Sequence, residues 1–235
     1  MPAVVDRDPA ACAAVLGPLL DRYPLYANLG AIETNGIIRC SALPIHGPVN
    51  AADRSYFQRA MATREFAVGD YQIGRITNRA SLNVGYPLLD PTGRVQTVVM
   101  AALDLGWLNR LVESASLPPG SVLTVVDRNG TVLLRQPDPG RWVGLSQAAL
   151  PSIQTILREK EGVTRERDAD GVDRLVAFTT LGSAAADAGA YVSLGVPAAV
   201  AFEATDAAFR RSMIGLSAAA VVALLAAWWG GAANS

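Results

Sequence analysis

Apolar residues along this chain fall mostly into short alternating runs, separated by Gly, Pro and Asn-Gly turns and broken by stretches of helical spacing. The first such stretch, residues 8–22, carries Ala10, Ala14, Leu16, Leu19 and Leu20 at helical intervals and predicts a helix that stops at Tyr23-Pro24. Two β-prone runs, 26–34 and 37–43, flank Asn35-Gly36, the strongest short-range hairpin signal. A loop holding Pro44 and Pro48 leads to Asp53, placed to cap a helix over 54–63. Extended runs follow at 66–76, 81–89 and 94–105, the last two joined by the turn Asp90-Pro91-Thr92-Gly93. A helical pattern returns over 106–116, with Trp107, Leu108, Leu111 and Val112 on one side, and Pro118-Pro119-Gly120 ends it.

After that break the order starts again. Residues 122–126, a turn holding Asn129-Gly130 and residues 131–134 repeat the first hairpin; a helix over 147–159 and strands near 163–167, 174–181 and 190–196 complete the set. The plan of hairpin, helix and three strands thus occurs twice, and hairpin-length turns make each sheet antiparallel. The fold class is therefore α+β, as two tandem modules. The predicted division is an N-terminal helix at 1–24, a first module at 25–117, a second at 118–197, a connecting helix at 198–211 and a transmembrane helix at 212–231.

That last segment lacks charge from Ser212 to the end and closes on Trp228-Trp229, whose indoles suit a membrane interface. As a helix, roughly 20 residues cross a hydrocarbon core of about 30 Å. The other reading is a buried Ala-rich helix. Arg210 and Arg211 precede the span, against the positive-inside rule if the preceding part is outside the cytoplasm. The first residues show no signal-peptide pattern, so an export signal is expected upstream. Hydrophobic residues make up 51% and charged residues 17%, with net charge -1 and no block of like charge, which excludes a nucleic-acid partner. Cys12 and Cys40 are the whole cysteine complement: either a disulfide, which a membrane span behind them favours, or two buried thiols.

Catalytic and cofactor signatures are missing: the sequence has no nucleophile elbow, dinucleotide fingerprint or phosphate loop, and no cofactor is expected. His46, the single histidine, lacks partners for a zinc site and reads as an ordinary loop residue. A more informative group lies in the first module. Arg54, Tyr56 and Phe57 open its helix; Tyr71, Ile73 and Arg75 share one face of the next strand by the period of two; Asp104 ends an apolar strand on the face of Met100 and Ala102. A guanidinium and a carboxylate across an aromatic pocket suit a small zwitterion. The structural alternatives are that Asp104 caps the helix after it, that Arg54 pairs with Asp53 or Asp70, and that both rings are core.

The chain resembles the double Cache sensor domains of bacterial chemoreceptors, histidine kinases and diguanylate cyclases. The residues that carry the likeness are Asp53-Arg-Ser-Tyr-Phe57, Val68-Gly-Asp-Tyr-Gln-Ile-Gly-Arg75, Tyr86-Pro-Leu-Leu-Asp-Pro-Thr-Gly93 with the strand to Leu105, and Val126-Asp-Arg-Asn-Gly130. The resemblance implies two PAS-like modules, a long N-terminal helix, a ligand in the membrane-distal module and a closing helix that enters the membrane. In amino-acid-binding members, an arginine and aromatics hold the carboxylate, while a further tyrosine and an aspartate hold the amino group. Arg54, Tyr56, Phe57, Tyr71 and Asp104 fall at comparable places; a tryptophan expected near Tyr56 is missing, and Val49 stands where another tyrosine would precede Arg54. The function expected is extracytoplasmic sensing of an amino acid or other small polar metabolite by a dimeric receptor of the bacterial inner membrane, with any catalytic output outside this chain. A non-binding spacer and a membrane-tethered hydrolase using Asp70, Asp104 or His46 are the competing classes.

Overall fold

A computed structural model describes residues 8–113, 116–168, 170–181 and 189–201. Helix α1 (Pro9–Arg22) is followed by strands β1 (Tyr26–Glu33) and β2 (Ile38–Ser41), helix α2 (Ser55–Thr63), and strands β3 (Ala67–Ile73), β4 (Ala80–Leu89) and β5 (Val95–Asp104). Helix α3 (Leu105–Glu113) leads to β6 (Val122–Asp127), β7 (Val132–Gln136), the single turn α4 (Pro139–Trp142), α5 (Pro151–Glu159), β8 (Gly162–Arg167), β9 (Asp173–Leu181) and β10 (Ala190–Pro197). The first sheet has the order β2-β1-β5-β4-β3 and the second β7-β6-β10-β9-β8, with every pairing antiparallel. Counted from the start of each module, the two orders are the same permutation. The repeated hairpin-helix-strands pattern is therefore a structural repeat.

Each sheet is covered on both faces. In the first, α1 lies on one face, packing Cys12 and Leu16 against Leu29, Ala31 and Cys40, and a Cys12–Cys40 disulfide ties it to β2. On the other, Tyr56, Phe57 and Ala60 of α2 pack on Ile32, Val98 and Met100. In the second sheet, Ile153 and Ile156 of α5 meet Val126, Val132 and Phe178. Its opposite face joins the first module: Leu82, Leu105 and Leu108 form one apolar cluster with Val125, Leu133, Leu134 and Ala190. Polar contacts fix α3 in this junction. Asn109 donates to the carbonyls of Leu105 (2.7 Å) and Leu133 (3.3 Å) and accepts from the Arg135 amide (3.3 Å).

Several predicted boundaries shift, each for a local reason. Asp53 does not cap α2. The N-cap position is Arg54, without a side-chain cap, because the Asp53 carboxylate is held by Arg75. Helix α5 begins at Pro151 instead of 147, since Gln147 donates back to Gly130 and Ser146 bridges Thr131. Strand β3 stops at Ile73, where Gly74 and Arg79 close a turn. The described N-terminal helix is 14 residues, shorter than the long helix expected. No helix among the described residues is long and apolar enough to cross a membrane; the predicted span, 212–231, and all but the first residues of the connecting helix lie outside them.

Candidate ligand-binding cleft

Two glycines let α2 approach the sheet. A Cβ on Gly69 would lie 2.9 Å from the Asn83 carbonyl oxygen and 3.0 Å from the Tyr56 Cβ, and one on Gly85 would lie 3.1 Å from the Tyr56 carbonyl oxygen. Tyr56 is thereby 2% exposed, and beside it, between the start of α2, the sheet and the 74–77 loop, opens a small cleft. Its lining is part apolar (Ile38, Met100, Ala102) and part polar.

The cationic wall is Arg54. Its Nη2 donates to the Ile73 carbonyl at 3.2 Å, and among the described residues no carboxylate lies within 4.0 Å of it. Arg75 also lines the cleft, but its guanidinium forms a two-point pair with Asp53 (2.7 Å and 2.7 Å) and donates to the Asn50 carbonyl. That pair holds the Asp53 carboxyl at about 2 and raises Arg75. The acids that Arg54 was expected to choose between are thus taken: Arg75 has Asp53, and Arg59 holds Asp70 through two 2.9 Å bonds. Burial pushes the Tyr56 phenol up, opposed by its hydrogen bond with Asn83.

The remaining predicted residues are dispersed. Phe57 belongs to the core under α2. The Ile73 side chain is 46% exposed, and only its carbonyl meets Arg54. Tyr71 packs in the junction between modules, where a Cβ on Gly144 would sit 2.5 Å from its hydroxyl. The cause is a β-bulge. Register shifts between Val68 and Tyr71, so one extra residue reverses which side chains face α2, and Gln72, not Tyr71, lines the cleft. Asp104 does what the structural alternative required: Oδ1 accepts from the Trp107 amide at 3.1 Å at the start of α3, and Oδ2 meets Arg79 at 3.3 Å. It is not among the lining residues, and neither is His46.

What the sequence reading missed is a set of amides: Asn28, Asn50, Gln72 and Asn83 all line the cleft. Asn28 and Asn83, 2% and 4% exposed, are inward positions of otherwise apolar strands. That buried-polar pattern is the signal that could have found them.

The bulge also frees two backbone N–H groups, and each is recaptured. Asp70 N donates to the Ser55 hydroxyl (2.9 Å) at the start of α2, and Tyr71 N donates to Asp127 Oδ2 (3.0 Å) in the second module. The other oxygen of Asp127 accepts from Asn129 and Thr131 and shapes the second hairpin turn. Asp70 itself lies 3.6 Å from Arg128.

No family model matches the chain. Sporulation kinase D of Bacillus subtilis is 27% identical over 120 residues, a stretch that takes in 51% of this chain and 23% of that kinase. Among solved structures, the extracellular domain of mmHK1S-Z3, described as a histidine kinase, superposes with a TM-score of 0.69 at 13% identity, covering 85% of this chain and 83% of its own. The ligand-binding domain of PctB, an amino acid chemoreceptor of Pseudomonas aeruginosa PAO1, in complex with L-arginine, gives 0.62 at 17% identity, with coverage of 84% and 82%. The fold is that of these sensor domains, as the resemblance implied.

Proposed function

From a fold shared with the sensor domains of histidine kinases and chemoreceptors, we propose that this chain is the extracytoplasmic sensing part of a membrane receptor and that the cleft beside α2 holds a small carboxylate-bearing solute, α-amino acids among them. The observation that carries this reading is the charge of the lining. Among the described residues Arg54 forms no ion pair, the other polar lining groups are amides, the Tyr56 and Thr77 hydroxyls and the paired Arg75, and no carboxylate is among the lining residues. A guanidinium binds a carboxylate at two points, and the amide oxygens of Asn50 or Gln72 accept from an ammonium without needing an acid. PctB binds an amino acid on the same fold, which favours that class. Signal would leave through the second module toward the membrane, in a dimer. A sensor of this kind has no catalytic step of its own.

The test is calorimetric titration of the chain with L-amino acids, simple carboxylates and amines. Carboxylates are expected to bind, and Arg54→Ala is expected to weaken the best of them about 10- to 100-fold, the value of one charge-assisted contact. Asp104→Asn is expected to lower stability and leave affinity unchanged. Amines binding at this cleft in preference to carboxylates, or an Arg54→Ala protein with full affinity, would overturn the assignment.

A further inference from the structure

The second sheet carries a cleft in the place that corresponds to the first. It lies between α5 and the sheet face that α5 covers, and has Leu150, Ile153, Ile156 and Val176 on its apolar wall. Its charge is opposite. Arg135 lines it with a side chain 7% exposed, but its charge is paired: Nη2 donates to Asp168 at 3.1 Å, Nη1 to the Thr124 hydroxyl at 3.2 Å, and Cζ lies 4.6 Å from the Trp142 ring centre. Asp168 is shared with Arg174 at 3.2 Å. Glu166 is the ionisable lining group that remains. Among the described residues no cation lies within 4.0 Å of it, and its partners are the hydroxyls of Ser152 and Thr164. Burial, with the charge of Asp168 added, pushes its carboxyl up.

A half-buried carboxylate with hydroxyl partners and no counter-ion, beside an aliphatic wall, is complementary to a positive charge carried on an apolar body. An anion would meet Glu166 and Asp168 and find the one arginine already spent. A bare metal ion lacks donors, since among the described residues there is no group of three His, Cys, Asp or Glu side chains that could hold one. We propose that the second cleft is a binding site for a small organic ammonium ion, with Glu166 as its counter-ion, the Ser152 hydroxyl beside it and Ile153 and Ile156 along its alkyl part. This site stands whether or not the first cleft holds a solute. One chain would then read two solutes of opposite charge.

The probes are n-butylammonium, its charge-reversed isostere butyrate and neutral butanol, each titrated against the chain by calorimetry and by thermal unfolding. Butylammonium is expected to bind saturably and to raise Tm, and butanol to bind far more weakly. Glu166→Gln should weaken butylammonium at least about tenfold. Ile153→Trp, which fills the wall without touching charge, should abolish binding, and Arg54→Ala should leave it unchanged. The proposal is overturned by no response to butylammonium, by equal binding of butanol, by folded Glu166→Gln and Ile153→Trp proteins that bind as the parent does, or by loss of butylammonium binding in Arg54→Ala.

Discussion

An asparagine buried inside a strand is costly unless its amide is satisfied, and Asn28 shows how that cost is met: it donates to the Ser41 hydroxyl at 2.8 Å and its carbonyl oxygen accepts from Leu29 and Leu43 amides. Such residues keep the cleft lining polar. Glu166 is the opposite case, a carboxylate kept at a cost. Its folded pKa lies above the usual 4.5, so the folded state binds more protons and stability falls as pH rises through that range. Glu166→Gln is therefore expected to raise Tm at neutral pH while losing amine affinity, and a fall in Tm would mark the residue as structural. Asp53, Asp90 and Asp170 act in the other direction. Each is held at about 2 against an ordinary 3.8, Asp53 by Arg75, Asp90 by the Thr92 hydroxyl and Asp170 by Arg174. Their contribution is present above about pH 4 and is lost as pH falls toward 2, so an acid titration of unfolding should steepen there.

Among elements, α1 and α3 occupy equivalent places, each packed on one face of the sheet that follows it, and each is secured differently. For α1 the tie is the Cys12–Cys40 bond, across a separation of 28 residues. Replacing both cysteines by serine is expected to cost about 3 to 4 kcal/mol by chain entropy, read as a shift in urea midpoint. For α3 the tie is Asn109, and Asn109→Ala, which strands the Arg135 amide and the Leu133 carbonyl, is expected to cost about 1 to 3 kcal/mol in the same assay. Element type was legible in the sequence wherever the signal is local: the Asn35-Gly36 and Asn129-Gly130 hairpins, the Asp90–Gly93 turn and the helical spacings all give the elements observed. Starts and stops were less so, because Pro151 and the 146–147 pairing decide the start of α5 through a contact with a distant hairpin.

At the scale of the whole molecule, the two-module plan was readable because the repeat is in the sequence itself, whereas the site was only half readable. Arg54, Tyr56 and Arg75 do come together; Tyr71 and Asp104 do not, since a count by twos along a strand fails at a bulge and says nothing of what lies beyond a strand end. The junction between modules has a polar link as well as an apolar one, and Asp127→Asn tests it. One amide oxygen still serves the hairpin turn, but the NH₂ cannot accept from Tyr71. A carboxylate solute that slows backbone amide exchange in both modules of the parent protein is expected to protect only the first in this variant.

Because β3 carries one residue more than its partner strand, the cleft and the junction share a single point of failure. Deleting Gly69 would keep the pairs Val68–Val84 and Tyr71–Leu82 and leave Gln72 on the cleft wall. It would, however, remove the bulge from which the Asp70 and Tyr71 amides reach Ser55 and Asp127, and set Asp70 opposite Asn83, where a Cβ meets the Tyr56 Cβ at 3.0 Å. The loss of one small residue, with no charge or ring removed, would press α2 off the sheet and loosen the junction together.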